Sequence, residues 1–362
     1  MRVAVVFPPL EVSADFIDYP YFADLGAIQA AAVLRAAGHD VALVDALARP
    51  GATLTWRGER VRLGADASSV VAAIPSEIDA AVVALSPFSV PPRRDAAVGA
   101  VLAALRRRSE AVPIVLADLH QGGQHVVDAS AAEVLASYPE ASAYVKHEAE
   151  VSLVELLADA PWVGSPTRER RAIRGVDPPS LDELPLPAWD LVDTAAYFRF
   201  HEDVVRSLGR GHWAFPIDGA SLPALTSRGC PFRCTHCSSN PGAREGGVLV
   251  RPKNQRRHSP AYLDRLFALL RSGGARRVHI LDELANVNEA HFDSVLDLAA
   301  QHELGLEVPN GLRADYVRPR QLAKMKSLST TLSVSAESGD QRVVDEIVDK
   351  QLDLREITRV AR

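Results

Sequence analysis

The sequence predicts an α/β protein built from two successive regions of alternating strands and helices. Short runs rich in valine and alanine, typical of buried parallel strands, alternate with longer segments of helical periodicity. A proline-rich stretch divides this alternation into two halves. The composition, 47% hydrophobic and 24% charged over 362 residues, is ordinary for a globular chain of about two to three domains.

The first half, residues 1–160, is predicted to be a doubly wound, Rossmann-like parallel sheet. The predicted strands are 2–7, 39–46, 80–85, 112–117 and 143–145, and the predicted helices are 24–38, 95–108, 131–138 and 148–157. Residues 52–63 alternate polar and apolar side chains, which predicts an inserted hairpin turning near Gly58. Ligands of doubly wound sheets bind at the carboxyl ends of the strands, so the segments after these strands are candidate binding sites.

Residues 161–214 are predicted to be an ordered connector. Closely spaced prolines in this stretch exclude a regular helix or a central strand. A flexible linker carries fewer large apolar residues, so Leu184, Leu186 and Trp189 are expected to pack against a domain.

The second half, residues 215–362, is predicted to contain four successive β/α units. Its predicted strands are 222–227, 277–281, 305–309 and 330–336, and its predicted helices are 259–273, 288–302 and 319–326, with a final helical segment. Ser259 and Pro260 are typical of a helix start, with serine as the cap and proline at the first position.

All three cysteines lie in Thr226-Ser-Arg-Gly-Cys230-Pro-Phe-Arg-Cys234-Thr-His-Cys237, with the spacing C-x-x-x-C-x-x-C. Three thiolates this close together suit a soft metal centre. Iron–sulfur clusters are usually held by four cysteines. Three cysteines would leave one iron of a [4Fe–4S] cluster open to a ligand from outside the chain.

The cysteines have two alternative interpretations. Buried structural cysteines would be inert, but an apolar site would not contain Arg228, Arg233, Thr235 and His236. A zinc site could use the three cysteines with His236, although His236 adjoins Cys237, which is tight for two ligands of one ion.

The cysteine stretch resembles the cluster-binding loop of the radical S-adenosylmethionine (SAM) superfamily. The resemblance implies that Cys230, Cys234 and Cys237 bind three irons of a [4Fe–4S] cluster and that SAM chelates the fourth. It implies that the reduced cluster cleaves SAM to a 5′-deoxyadenosyl radical. It also implies a partial (β/α) barrel of six units, so this chain, with four, is expected to be truncated at its C-terminal end.

The same resemblance implies SAM-binding residues at the ends of the barrel strands. Asp282 and Glu283 stand where family members contact the SAM ammonium group, and carboxylates accept charge-assisted hydrogen bonds from an amine. Glu337-Ser338-Gly339 resembles the SAM-contacting motif of the family. Further candidates for this cavity are Asn310 and Arg313. The alternative for each acidic residue is a solvated carboxylate at a strand end.

A doubly wound domain before such a core resembles the cobalamin-binding domain of the cobalamin-dependent subgroup, similar to class B radical SAM methyltransferases. Residues 181–187, Leu-Asp-Glu-Leu-Pro-Leu-Pro, and Glu148-Ala-Glu150 also resemble that subgroup. The resemblance implies a cobalamin at the carboxyl ends of the strands. The candidate cobalamin-binding residues are Pro9, Leu10, Ser86, Phe88, Asp118, His120, Gly122 and Gly123.

Asp118-Leu-His120-Gln-Gly-Gly123 spells D-x-H-x-x-G, the pattern in which a histidine replaces the base beneath cobalt. In cobalamin domains that use it, the pattern follows the first strand, whereas here it follows the fourth. Three alternatives therefore stay open. His120 ligates cobalt, the glycines let the backbone approach the cobalamin tail, or the domain binds no cobalamin.

The resemblance predicts a cobalamin-dependent radical SAM enzyme, a methyltransferase that uses SAM and methylcobalamin to methylate an unactivated carbon or phosphorus centre. The first alternative is radical SAM chemistry without methylation, such as cyclisation, ring contraction or oxidation. The others are a catalytically silent cofactor-binding protein and a zinc-stabilised interaction protein.

The expected partners are a small-molecule or peptide substrate and an electron donor such as flavodoxin or ferredoxin. A net charge of −6 offers no electrostatic attraction for nucleic acid or an anionic membrane. No apolar stretch reaches the ~20 residues of a membrane span, and the N-terminus does not read as a secretory signal. Cysteines clustered at one site fit a reducing compartment, which predicts a cytoplasmic location.

Overall fold

The structure is a computed structural model. It describes residues 1–13, 25–85, 91–119, 129–207, 220–237, 242–245, 248–252 and 254–362. Within these ranges, no helix is both long enough and apolar enough to cross a membrane.

The first half of the chain alternates strands and helices at close to the predicted positions. Its elements are β1 (Arg2–Phe7), β2 (Leu10–Ser13), α1 (Leu25–Ala36), β3 (Asp40–Asp45), β4 (Thr53–Arg57), β5 (Arg60–Gly64), α2 (Ala67–Ala72), β6 (Ala80–Ala84), α3 (Ala96–Arg108), β7 (Ile114–Ala117), α4 (Ala131–Ser137), β8 (Ala143–Lys146), α5 (Glu150–Ala158), α6 (Ala160–Gly164) and β9 (Arg171–Arg174).

Six of these strands form a parallel sheet in the order β3-β1-β6-β7-β8-β9. One hydrophobic cluster packs α1 and α5 on one face, and a second cluster packs α2, α3 and α4 on the other. This arrangement confirms the doubly wound sheet. The sheet continues to β9, which lies beyond the predicted boundary at residue 160, because the short edge strand Arg171–Arg174 pairs in register with β8.

A second, small antiparallel sheet has the order β2-β5-β4. Strands β4 and β5 form the predicted hairpin, and Gly58 in its turn has a φ of 65°. Strand β2, whose Leu10 pairs with Leu63, was not predicted from the sequence. Because β2 follows β1 after only two prolines, this sheet lies at the carboxyl end of β1.

The connector joins both halves by polar and apolar contacts. The carbonyl of Pro185 accepts hydrogen bonds from Gln29 of α1 at 2.9 Å and from the Tyr262 hydroxyl at 3.0 Å. Leu184 and Trp189 are buried in the cluster that also contains α1, as expected. The connector ends in α7 (Thr194–Ser207), which the sequence analysis did not predict.

The second half is built around a three-stranded parallel sheet of order β10-β15-β16. Its elements are β10 (Ser221–Ala224), β11 (Ser227–Arg228), β12 (Gly242–Glu245), β13 (Val248–Pro252), β14 (Arg256–Arg257), α8 (Pro260–Ser272), β15 (Arg277–Ile280), α9 (Glu289–Gln301), β16 (Gly305–Glu307), α10 (Pro319–Leu328), a helical turn (Val343–Ile347) and α11 (Leu354–Ala361). Helices α8, α9 and α10 follow successive strands, which is the predicted β/α alternation.

The predicted fourth strand, residues 330–336, is wrong in extent, since only Val334 forms a parallel bridge, with Leu312. The buried carboxylate of Glu307 explains the difference, because it accepts the N–H groups of Thr330 and Thr331 at 2.8 and 3.3 Å. A side chain thus takes the place of the backbone ladder at the start of this segment.

Asp45, the last residue of β3, is a buried carboxylate in this fold. One of its oxygens accepts the N–H of Leu47 at 2.8 Å, and the other has no hydrogen-bond partner among the described residues. Burial raises the pKa of Asp45 to about 7, and the N–H groups of Leu47 and Ala48 and the charge of Arg49 offset this only in part. The folded protein therefore holds a proton that the unfolded chain releases near pH 4.

We expect Asp45→Asn to gain stability relative to the wild-type protein as the pH rises from about 4 to about 7. Over this range the folded wild-type protein binds more protons than the unfolded chain, so its free energy of unfolding falls by up to about 1.4 kcal/mol per pH unit. Urea unfolding across this range measures the effect. Asp66→Asn is the control, because hydrogen bonds from Ser68 and Ser69 lower the pKa of Asp66 to about 2 and its difference from wild type should stay constant. A pH-independent difference for Asp45→Asn would contradict the expectation.

Candidate cofactor site

The three cysteines lie in residues 229–237, called the cysteine loop below, which follows β10 and β11. Cys230, Cys234 and Cys237 are partly exposed and form no disulfide. The N–H of Cys237 donates to the carbonyl of Cys234 at 3.1 Å, which closes a turn. The structure thus presents all three thiols on one short loop at the carboxyl edge of the second sheet.

Three cysteine thiolates on one loop are a donor set that fits an iron–sulfur cluster. Among the described residues, no three His, Cys, Asp or Glu side chains are gathered to hold one metal ion. In a cluster each thiolate binds a different iron, so the sulfur atoms need not converge on one point. His236, the fourth ligand of the alternative zinc site, lies with its Nε2 3.4 Å from the Glu337 carboxylate.

Gly229 allows the cysteine loop to begin where it does. Its φ of 88° lies in the left-handed region, and a Cβ at this position would overlap the main-chain oxygen of Asn254. Only glycine combines this backbone conformation with so close an approach. The backbone position of Cys230 is therefore set by the close packing of Gly229 against Asn254.

Phe232 anchors the middle of the cysteine loop. The guanidinium carbon of Arg313 lies 4.0 Å from the centroid of its ring, which is a cation–π contact. Arg313 is itself buried and donates to the carbonyls of Lys350 and Gln351, both at 2.8 Å. This places Arg313, a candidate for the SAM cavity, beneath the loop as a support.

Thr235 attaches the end of the cysteine loop to the C-terminal part of the chain. Its N–H donates to the carbonyl of Val348 at 2.9 Å, and its hydroxyl donates to the carbonyl of Ile347 at 2.6 Å. The loop is therefore held at Gly229, Phe232 and Thr235, and its three cysteines are partly exposed.

Asp282 supports the strand that leads to the cysteines. Its side chain is fully buried, and its two oxygens accept the N–H of Thr226 at 2.7 Å and the hydroxyls of Thr226 and Ser227, each at 2.6 Å. Burial raises the pKa of Asp282, and these hydrogen bonds offset the rise in part. Its expected contact with SAM stays a prediction, and these hydrogen bonds to its side chain come from residues 226 and 227.

Glu283 lies beside Asp282 but is partly exposed. The N–H of Gly229 donates to its carboxylate at 2.8 Å. Burial raises the pKa of Glu283 to about 7, and the negative charges of Asp282 and Glu148 contribute to the rise. The carboxylate thus contacts the residue that precedes Cys230, and its raised pKa makes Glu283 a functional-site candidate.

Asn310 stabilises the main chain at Leu281 and Asp282, next to the two acidic residues. Its side-chain amide donates to the carbonyls of Leu281 and Asp282, at 3.1 and 2.9 Å. It thereby ties the end of β15 to the segment after β16. Its predicted contact with SAM stays a prediction.

Glu337 brings the last predicted SAM-binding motif next to the cysteine loop. Its carboxylate accepts a hydrogen bond from Lys350 at 2.7 Å and faces His236 across the 3.4 Å contact. Its φ of 66° is unusual for a residue other than glycine, which marks a constrained position. The Ser338 hydroxyl accepts the N–H of Asp340 at 3.1 Å.

The candidate cobalamin residues that the structure describes are Pro9, Leu10 and Asp118. They are all buried at the carboxyl ends of β1 and β7, and Leu10 belongs to β2. Asp118 accepts the N–H of His147 at 3.3 Å. The other candidates, which lie outside the described residues, are Ser86, Phe88, His120, Gly122 and Gly123.

A buried ionic network joins the two halves of the chain directly before the cysteine loop. Arg228 donates to Glu148 and forms an ion pair with Glu150, both at 2.8 Å, and Arg256 also pairs with Glu148. Burial alone would lower the pKa of Arg228, but the charges of Glu150 and Glu148 raise it overall, so Arg228 stays cationic. The sequence analysis placed Glu148 and Arg228 in two separate motifs, and no sequence pattern pairs residues 80 positions apart.

Residues 225–362 match the sequence model of the radical SAM superfamily. The matched portion contains the cysteine loop, so the match bears out the resemblance drawn from the cysteine spacing. The family also implies the two expected cofactors, a [4Fe–4S] cluster and SAM. A search of curated proteins found no significant match.

TsrM and OxsB are among the solved proteins that share the fold of the chain. One is the radical SAM methyltransferase TsrM from Kitasatospora setae with tryptophan substrate and a SAM analogue (aza-SAM) bound, at a TM-score of 0.61 and 16% identity, covering 100% of this chain and 65% of that one. A second TsrM structure, with cobalamin and a [4Fe–4S] cluster bound, matches at 0.55 and 15%, covering 91% and 59%.

The other is OxsB, a cobalamin-dependent SAM radical enzyme, at a TM-score of 0.61 and 15% identity, covering 98% of this chain and 46% of that one. At these identities the likeness shows the fold alone. The chain spans less than two thirds of each of these proteins.

We expect Gly229→Ala to destabilise the protein more than Gly274→Ala does. Both positions have a φ near 90°, at 88° and 93°, so both variants carry the cost of the left-handed conformation, about 1–2 kcal/mol. A Cβ at Gly274 meets only Phe198, at 4.0 Å, whereas one at Gly229 overlaps Asn254. The overlap should cost about 1–3 kcal/mol more. Urea unfolding measures the difference, and equal losses in the two variants would contradict the assigned close approach.

Proposed function

We propose that the chain carries the catalytic core of a cobalamin-dependent radical SAM enzyme that transfers a methyl group to an unactivated carbon or phosphorus centre. The observation that carries the proposal is the position of the cysteine loop. This loop of a radical SAM domain is joined through Arg228 and Glu148 to the carboxyl edge of a doubly wound domain. The fold shared with TsrM and OxsB supports it.

In this proposal Cys230, Cys234 and Cys237 each bind one iron of the cluster. A reduced [4Fe–4S] cluster supplies the electron for the cleavage of SAM. The chain contributes the support of the cysteine loop, through the contacts of Gly229 and Thr235, and leaves the thiols accessible to the cluster.

For SAM, we assign direct contacts to Glu283, Glu337 and Ser338 and a supporting role to Asp282 and Asn310. Glu283 is partly exposed beside Gly229 and can accept hydrogen bonds from an ammonium group. Asp282 is fully buried and Asn310 donates to two main-chain carbonyls, so both hold the corner on which Glu283 stands.

For cobalamin, we assign the carboxyl edge of the first sheet. The strand order places β1 beside β6, with β3 on the other side of β1, so the direction of winding changes between β1 and β6, where doubly wound sheets bind their ligands. Pro9, Leu10 and Asp118 lie along this edge. The cobalamin in a TsrM structure supports the assignment. Ser86, Phe88, His120, Gly122 and Gly123 complete the proposed site.

The proposed substrate is a small molecule or a peptide, and the proposed electron donor is a flavodoxin or ferredoxin. The protein's task in such a reaction is to orient the cofactors and exclude water. Methylation is proposed over cyclisation, ring contraction or oxidation because TsrM is a methyltransferase.

Anaerobic purification and reconstitution with iron, sulfide and cobalamin should yield about four irons and about one cobalt per chain, the content of one [4Fe–4S] cluster and one cobalamin. Cys234→Ala should lose the iron, because two thiolates do not hold the cluster. His236→Ala is the matched control from the same loop and should keep it. Zinc without iron or sulfide would contradict the proposal, and four irons without cobalt would remove cobalamin from it.

The products of SAM separate methylation from the alternative. A methyltransferase of this class releases both S-adenosylhomocysteine and 5′-deoxyadenosine, whereas a non-methylating enzyme releases only 5′-deoxyadenosine. Full loading with neither product would indicate a cofactor-binding protein without activity.

Glu283→Gln should weaken SAM binding by about tenfold, the loss of one charge-assisted hydrogen bond, without lowering the free energy of unfolding. Asp282→Asn should instead lower the free energy of unfolding, because its oxygens accept three buried hydrogen bonds. Calorimetric titration with SAM and urea unfolding measure the two effects. Unchanged SAM affinity in Glu283→Gln would remove Glu283 from the site.

A further inference from the structure

Two arginines on one strand pair reach across to the first domain. Strands β11 and β14 pair antiparallel, with Arg228 opposite Arg256. Arg228 contacts Glu148 and Glu150 at 2.8 Å each, and Arg256 contacts Glu148 and lies 3.7 Å from Asp177. Strand β11 leads into the cysteine loop, and both β11 and its partner β14 therefore form ion pairs with the first domain.

The centre of this network is buried. The side chain of Arg228 is 4% exposed, and those of Glu148 and Glu150 are 6% and 2% exposed. Buried charges are costly to desolvate, so such a network adds little net stability, but removing one partner leaves an uncompensated charge. Its contribution is to fix the relative position of the groups it joins.

Glu148, a glutamate of the network, lies at the edge of the first sheet where its strands end. Glu148 lies two residues after β8, and His147 between them has a φ of 66° and donates its N–H to Asp118. Gly175 donates to the carbonyl of Lys146 at 2.7 Å, and a Cβ there would overlap the carbonyl oxygen of Glu148. The turn that carries Glu148 is thus closely packed, on the edge assigned to cobalamin.

The arginine end of the network leads directly to a cluster ligand. Only Gly229 separates Arg228 from Cys230, and the main chain of Gly229 lies so close to Asn254 that a Cβ would not fit between them. The N–H of Gly229 is held by Glu283 as well. A displacement of Arg228 would therefore be passed to Cys230.

We propose that Glu148 and Arg228 are positioning residues that fix the cysteine loop against the carboxyl edge of the first domain. The ion pair sets the distance between the cluster and a ligand held at that edge. This inference rests on the proposed function, since it concerns the cluster and the cobalamin edge assigned there. Neither residue touches a reacting atom.

The test compares Glu148→Gln with Arg35→Gln in the full chain. Arg35 of α1 pairs with Asp190 of the connector at 2.5 and 3.0 Å, so it also joins two parts of the chain, but it is exposed and remote from β11 in sequence. Hydrogen exchange is measured on the protein without cofactors, over the amides of residues 227–237. After reconstitution, iron content, the electron paramagnetic resonance spectrum of the reduced cluster and its midpoint potential are measured.

Glu148→Gln should accelerate exchange across residues 227–237 at least tenfold, about 1.4 kcal/mol in the local opening equilibrium. It should also shift the spectrum and the midpoint potential of the cluster, which a loss of global stability alone would not do. Arg35→Gln should leave all of these as in the wild type. Arg228→Lys, which keeps the charge but not the fork of donors, should fall between them, and it serves as the test variant if Glu148→Gln does not fold.

Wild-type exchange rates and an unchanged cluster spectrum in Glu148→Gln would overturn the inference, as would destabilisation without a spectral shift. A wild-type protein that takes up no iron would instead refute the proposed function. The exchange measurement on the cofactor-free chain would still decide whether the ion pair holds the loop.

Discussion

The buried ion pairs of Arg228 with Glu148 and Glu150 connect the two halves of this protein at the point where the cysteine loop begins. Three charged groups removed from water must keep close geometry, because any separation leaves a charge without compensation. The chain meets this requirement with residues that have little freedom. Gly229 lies against Asn254 on one side, and the turn at Glu148 lies against Gly175 on the other.

The other contacts of the cysteine loop also hold residues next to the cysteines and not the cysteines themselves. Asp282 holds Thr226 and Ser227, Arg313 stacks on Phe232, and the carbonyls of residues 347 and 348 hold Thr235. None of these side chains needs to touch a metal to define where the thiols stand. Outer contacts of this kind orient metal ligands and tune the metal centre.

The match of residues 225–362 to the radical SAM superfamily model and the fold shared with TsrM and OxsB bear on different questions. The family identifies the chemistry of the cysteine loop. The shared fold explains why a doubly wound domain stands beside it, but a fold supports many reactions. Methyl transfer and its substrate therefore rest on the proposed residues and on the measurements that test them.

The sequence by itself determined the doubly wound sheet, the hairpin at Gly58, the β/α alternation after residue 220 and the three-cysteine loop. Each of these depends on local periodicity, turn residues or spacing within a few positions. Only the tertiary structure decided that Glu307 replaces the backbone ladder at Thr330, that Asp282 faces Thr226 and that Glu148 meets Arg228. These contacts join residues 23 to 80 positions apart, and local sequence patterns carry no information about which distant side chains will be buried together.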